Sequence, residues 1–65
     1  MKYWGYKHIS GSIHLKRFIG NFAKEAVDEA YNSDFVEDVV DPFEAKTRKE
    51  ASEKLKEHFA RGKEN

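Results

Sequence analysis

KYWGYKHISGSIHLKRFI, residues 2–19, is the stretch whose reading decides the fold. Aromatic, β-branched and large apolar residues fill both halves, and Ser10-Gly11-Ser12 interrupts them. The pattern reads as two strands, 2–9 and 13–19, joined by a tight turn. A Gly-Ser pair suits a type II′ turn, with Gly11 at the central position that needs a positive φ. That register pairs Trp4 with Ile19, Tyr6 with Arg17 and His8 with Leu15. It collects Trp4, Tyr6, Ile13, Leu15 and Ile19 on one face and Tyr3, Lys7, Ile9, His14, Lys16 and Phe18 on the other. A two-residue loop at Ser10-Gly11 shifts the pairing and keeps these faces. A three-residue loop does not, because side chains alternate along a strand.

Outward from the hairpin, Gly20-Asn21 breaks the alternation and Asn21 is an acceptable N-cap for a helix from about Phe22 to Tyr31. Phe22, Ala23, Ala26, Val27, Ala30 and Tyr31 recur at helical spacing, with Glu25, Asp28 and Glu29 on the other side. Residues 35–38 read equally as a turn, a helical turn or the lead into a strand. Val39 to Ala45 alternates again, and Pro42, which has no N–H, makes this an edge strand. Thr47 and Glu50 form a capping box for a second helix reaching about Ala60, with Ala51, Leu55 and Phe59 as its apolar stripe. Gly62 is a stop signal, and 63–65 are expected to fray.

The element order is therefore ββαβα. A right-handed crossover through the first helix lays strand 3 beside strand 1. The expectation is one α+β domain, residues 1–62, with a three-stranded antiparallel sheet of order 2-1-3 and both helices on one face, a two-layer sandwich. Trp4, Tyr6, Leu15 and Ile19 would meet Phe22, Val27, Leu55 and Phe59 in its core. The opposite sheet face is left bare.

Composition narrows the function classes. The chain of 65 residues has no cysteine, so neither a disulfide nor a thiolate metal site can staple it. No apolar run approaches the ~18–20 residues of a membrane span, and no apolar signal core follows Met1-Lys2-Tyr3-Trp4-Gly5. A cytoplasmic protein without membrane partners is expected. The charges are sorted into blocks: residues 1–20 carry a net of +4 and no acid, 21–45 a net of −7, and 46–65 a net of +3. Such blocks produce faces of opposite sign that steer partners.

Three surfaces follow. On the bare sheet face Tyr3, Lys7, Ile9, His14, Lys16 and Phe18 interleave cations with apolar and aromatic groups, which suits a protein partner, a second copy, or single-stranded nucleic acid. The ordinary reading of the same residues is a solvated strand face with lysines for solubility. The acidic block, Glu25, Asp28, Glu29, Asp34, Glu37, Asp38 and Asp41, could imitate a phosphate array, although such runs usually solvate a helix and its loop. It lacks the alternating ligands and central glycine of a calcium loop. His8 and His14 fall on opposite faces in this register, so they are not joint metal ligands. With no nucleophile triad, phosphate loop or HExxH pattern, neither catalysis, a metal, a cofactor nor a small-molecule substrate is expected.

Tyr3-Trp4-Gly5-Tyr6-Lys7-His8 and the junction Pro42-Phe43-Glu44-Ala45-Lys46-Thr47-Arg48-Lys49-Glu50-Ala51 resemble small proteins encoded by tailed phages and prophages. The resemblance spans most of the chain and implies a phage accessory or host-modulating role. It assigns no functional residue. The leading expectation is a non-enzymatic module that binds a protein partner. The alternatives are a nucleic-acid binder using the basic-aromatic hairpin, and an acidic inhibitor that mimics nucleic acid.

Overall fold

The computed structural model describes residues 1–62, so the fraying expected of 63–65 lies outside the described residues. Five elements follow in the expected order: β1 (Lys2–His8), β2 (Ile13–Arg17), α1 (Ala23–Asn32), β3 (Val36–Glu44) and α2 (Arg48–Gly62). The strands form an antiparallel sheet of order β2-β1-β3, an α+β fold.

The hairpin closes through a three-residue loop, Ile9-Ser10-Gly11. The His8 N–H donates to the Ser12 carbonyl at 2.8 Å, and the Gly11 N–H donates to the His8 carbonyl at 2.8 Å. Gly11 takes φ +99°, the left-handed position that ends such a loop. His8 Nδ1 accepts the Ser10 N–H at 3.1 Å and tightens the turn. The odd loop exchanges the faces of β2. Tyr3 now opposes Arg17, Trp4 opposes Lys16, Gly5 opposes Leu15 and Tyr6 opposes His14. The expected pairing of Trp4 with Ile19 is thereby corrected.

A second correction concerns the helices. Tyr3 and Trp4 are neighbours in β1, point to opposite faces, and are both buried, at 3% and 4% exposure. Tyr3 clusters with Ala45, Ala51, Leu15 and Phe43, whereas Trp4 clusters with Val27, Ala30, Tyr6, Phe18 and Val39. α2 thus covers one face and α1 the other, making three layers instead of two. The cause is width and parity. Three strands ~4.8 Å apart span ~10 Å, about the diameter of one helix with its side chains. With the faces exchanged, each side of the sheet also carries its own apolar set, so each helix has something to bury against.

α2 approaches closely because β1 has a glycine under it. A Cβ on Gly5 would stand 2.4 Å from Leu55 Cδ2 and 2.7 Å from the His14 carbonyl oxygen. At its N-terminus the Glu50 N–H donates to Thr47 Oγ1 at 3.1 Å, as the capping pattern predicts. The Glu50 carboxylate faces Lys54 at 3.4 Å. The Lys54 ammonium also donates to the Glu44 carbonyl at 3.1 Å, tying α2 to the end of β3.

β3 starts earlier than its alternation suggests and is an edge strand, as Pro42 requires. The register shifts between Tyr3–Phe43 and Gly5–Val40, so Asp41 and Pro42 together oppose Trp4 in a bulge that absorbs the missing N–H. α1 begins at Ala23 without a side-chain cap, so Asn21 does not play that part. Gly20, at φ +91°, turns the chain into the helix instead.

The Tyr31 hydroxyl donates to the Asp41 carboxylate, clamping the end of α1 to the bulge. That hydrogen bond, followed by partial desolvation and the charges of Asp41 and Asp38, holds the phenol above its ordinary pKa. A raised folded-state pKa favours the folded chain below the unfolded pKa and loses that contribution as pH rises through the folded one. NMR titration of the Tyr31 ring should therefore give a lower midpoint in Asp41→Asn than in the parent. An unchanged midpoint would mean that the clamp does not form. The stability effect should be small, since the ring is 54% exposed.

Candidate functional site

α1 lies against β3 rather than β2. The β1–β2 half of its sheet face therefore stays open as a groove of about 540 Å³ between helix and hairpin. Trp4, Tyr6 and Lys16 belong to the strands beneath it, and Ala26 and Glu29 belong to the helical wall. Ile19, Phe22 and Phe35 also line it and stand 66%, 72% and 64% exposed. The strand–helix turn supplies Ile19 and Phe22. The α1–β3 turn supplies Phe35, whose carbonyl accepts the Ile9 N–H at 2.9 Å and so joins the hairpin tip.

The rings around the groove are ordered against one another. Tyr6 stacks on His14 with centroids 4.9 Å apart, and His8 lies nearly parallel to Phe35 at 6.3 Å. Trp4 leans on Tyr6 at 5.7 Å. A concave apolar floor with large, solvent-facing apolar side chains around it can bury a partner's side chains.

The residues expected on one bare face do not stay together. Tyr3 is in the core beneath α2, and Lys7 is on that same face, its side chain largely buried against Glu37 at 3.3 Å. His14, Lys16 and Phe18 share the α1 face, with His14 and Lys16 exposed and Phe18 half-buried against the Trp4 cluster. Ile9 is exposed in the turn. Lys7 opposes Ile13 rather than Lys16, which removes the like-charge pair. The bare face of the expected register is therefore replaced by half of a face, beside α1.

Ile19 and Phe22, expected in the core, are groove residues instead. At 100° per residue Phe22 falls ~140° from Val27 but only ~80° from Ala30, so periodicity alone did not exclude it from the stripe. Phe35 stood in a segment with no periodicity of its own. Tyr6 and His8 border the groove because α1 sits over β3 and leaves the β1–β2 half uncovered, and the odd loop brings His14, expected on the face opposite His8, onto theirs.

The acidic residues do not form one array either. Glu25, Asp28 and Glu29 lie exposed along α1, and Asp34 is exposed in the following turn. Glu37 meets Lys7, Asp38 lies 3.7 Å from His58 of α2, and Asp41 is taken by Tyr31. Glu44 faces the N-terminal ammonium at 3.3 Å. The acids of β3 are thus largely engaged within the fold.

Among the described residues no charged or polar residue is fully buried, Lys7 coming nearest, and no three His, Asp or Glu side chains converge as metal ligands would. No described helix is long and apolar enough to cross a membrane. No protein-family model, curated protein or solved structure matches this chain.

Proposed function

We propose that this chain is a non-enzymatic protein-binding module that seats an apolar segment of a partner protein in the groove between the hairpin and α1. One observation carries the reading: Ile19, Phe22 and Phe35, each about two-thirds exposed, line one groove floored by Trp4 and Tyr6. Exposing such side chains is unfavourable unless something covers them, and aromatic anchors at the centre of an interface contribute most of its affinity. The setting attached to this reading is an accessory protein of a phage or mobile element, which rests on the resemblance of the hairpin and the strand–helix junction alone.

A second reading draws on the Tyr6–His14 stack beside Lys16, which offers single-stranded nucleic acid a ring and a cation. One experiment separates the two. Phe22→Ser with Phe35→Ser should leave the urea midpoint nearly unchanged, within about 0.5 kcal/mol, because both side chains face solvent. The double variant should lose capture of the partner from nuclease-treated lysate of the source cell, by ~2 kcal/mol or more per anchor. Capture that persists in the variant would place binding elsewhere. Capture abolished by nuclease in the parent would favour nucleic acid. Sedimentation of the isolated chain at rising concentration would expose a groove filled by a second copy.

A further inference from the structure

We infer that β2, the strand bordering the groove, accepts an extended acidic segment of a partner protein as a fourth strand of the sheet. The inference rests on the protein-binding reading and names the conformation and charge of what binds.

The two edges of the sheet are unlike. β3 carries Pro42 and two register shifts, which spoil it as a template for a further strand. β2 runs in unbroken register with β1 from Ile13 to Arg17 and contains neither proline nor glycine. The His8 N–H bonds the Ser12 carbonyl, and the Phe18 N–H bonds the Lys2 carbonyl at 2.9 Å. Hydrogen-bonded pairs alternate along an antiparallel ladder, so even-numbered β2 residues turn their main-chain groups toward β1. Ile13, Leu15 and Arg17 then present theirs to the open edge. Three N–H and three C=O groups await an incoming strand, the arrangement used in strand addition.

Charge chooses the occupant. Lys16 and Arg17 are both exposed and both line the groove, and neither has a carboxylate partner among the described residues. On the α2 side Lys56 lines a smaller cavity of about 280 Å³ with Ile13 and Phe59. Each face along β2 therefore couples a cation to apolar surface, the groove on one side and the Ile13 cavity on the other. A strand carrying carboxylates among apolar side chains satisfies both. A second copy does not: its β2 brings two more cations, and its acidic β3 is interrupted by Pro42. Glu29, the acid lining the groove, stands on the helical wall and not on the strand.

The test is selection of a displayed random peptide library against the full chain, with one enriched peptide then synthesised. Enriched peptides should combine Asp or Glu with β-branched or aromatic residues. The synthesised peptide should slow hydrogen exchange of the Ile13, Leu15 and Arg17 amides at least about tenfold. Lys16→Glu with Arg17→Glu should weaken it by about tenfold or more, and added salt should weaken it in the parent. Peptides with helical apolar spacing or basic character, leaving those amides unprotected, would overturn the inference. If the Phe22→Ser, Phe35→Ser variant also failed to bind such peptides, the groove reading would stand without it. No enrichment of any peptide would overturn both, and binding of a labelled oligothymidylate instead would point to nucleic acid. Protection of the same amides in the isolated chain at rising concentration would make a second copy the occupant and also overturn the inference.

Discussion

Leu55→Ala is expected to cost ~2–5 kcal/mol, enough to leave much of the protein unfolded in dilute buffer. Leu55 is the largest fully buried side chain among the described residues, at 1% exposure, and it lies over Gly5, where no Cβ intervenes between α2 and the β1 backbone. A domain of this size has a total stability of only about 3–5 kcal/mol from its core. The urea midpoint followed by far-ultraviolet circular dichroism is the measurement, and an unmoved midpoint would remove Leu55 from the core. Gly5→Ala should itself destabilise by ~1–3 kcal/mol through overpacking, since the added methyl meets Leu55 and the His14 carbonyl. Combining the two should be less than additive: truncating Leu55 vacates the space that the new Cβ needs, although the His14 contact remains. Strict additivity would show that α2 does not rest on Gly5.

Trp4→Ala should have the other large effect, ~3–5 kcal/mol, on the opposite face. Trp4 is 4% exposed, joins Val27 and Ala30 of α1, and also floors the groove. Its removal takes away the ring that packs against Val27 and Ala30, so the α1 amides should lose hydrogen-exchange protection. Trp4→Phe keeps a ring there and should cost less. Unchanged α1 protection in Trp4→Ala would mean that the helix is held by β3 and the Tyr31–Asp41 clamp alone. Because Trp4 serves both core and groove, Phe22 and Phe35 are the cleaner probes of binding.

Much of this architecture was legible from neighbouring residues. Strand alternation in Tyr3–His8 and Ile13–Arg17, helical recurrence of Ala23, Val27 and Ala30, the Thr47–Glu50 cap and the edge position of Pro42 all act over a few residues. Together with crossover handedness they lead to ββαβα and the 2-1-3 sheet. What misled most was one turn. Ser10-Gly11-Ser12 supports a two-residue loop or a three-residue loop with Gly11 left-handed, and both place that glycine at positive φ. The parity of that loop decides which side chains share a face.

The site depended on the same undecided parity. With the odd loop, Leu15 joins Tyr3 beneath α2 while His14 and Lys16 join Tyr6 on the α1 face, so the expected set of Tyr3, Lys7, Ile9, His14, Lys16 and Phe18 divides. The sequence by itself determined the elements, their order and the basic character of the hairpin, because hydrogen-bonding caps, periodicity and charge are local properties. The tertiary structure alone decided the faces, the helix on each side and the groove lined by Ile19, Phe22 and Phe35. Those follow from fitting Leu55 over Gly5 and one helix-width across three strands, which no segment can sense before the layers meet.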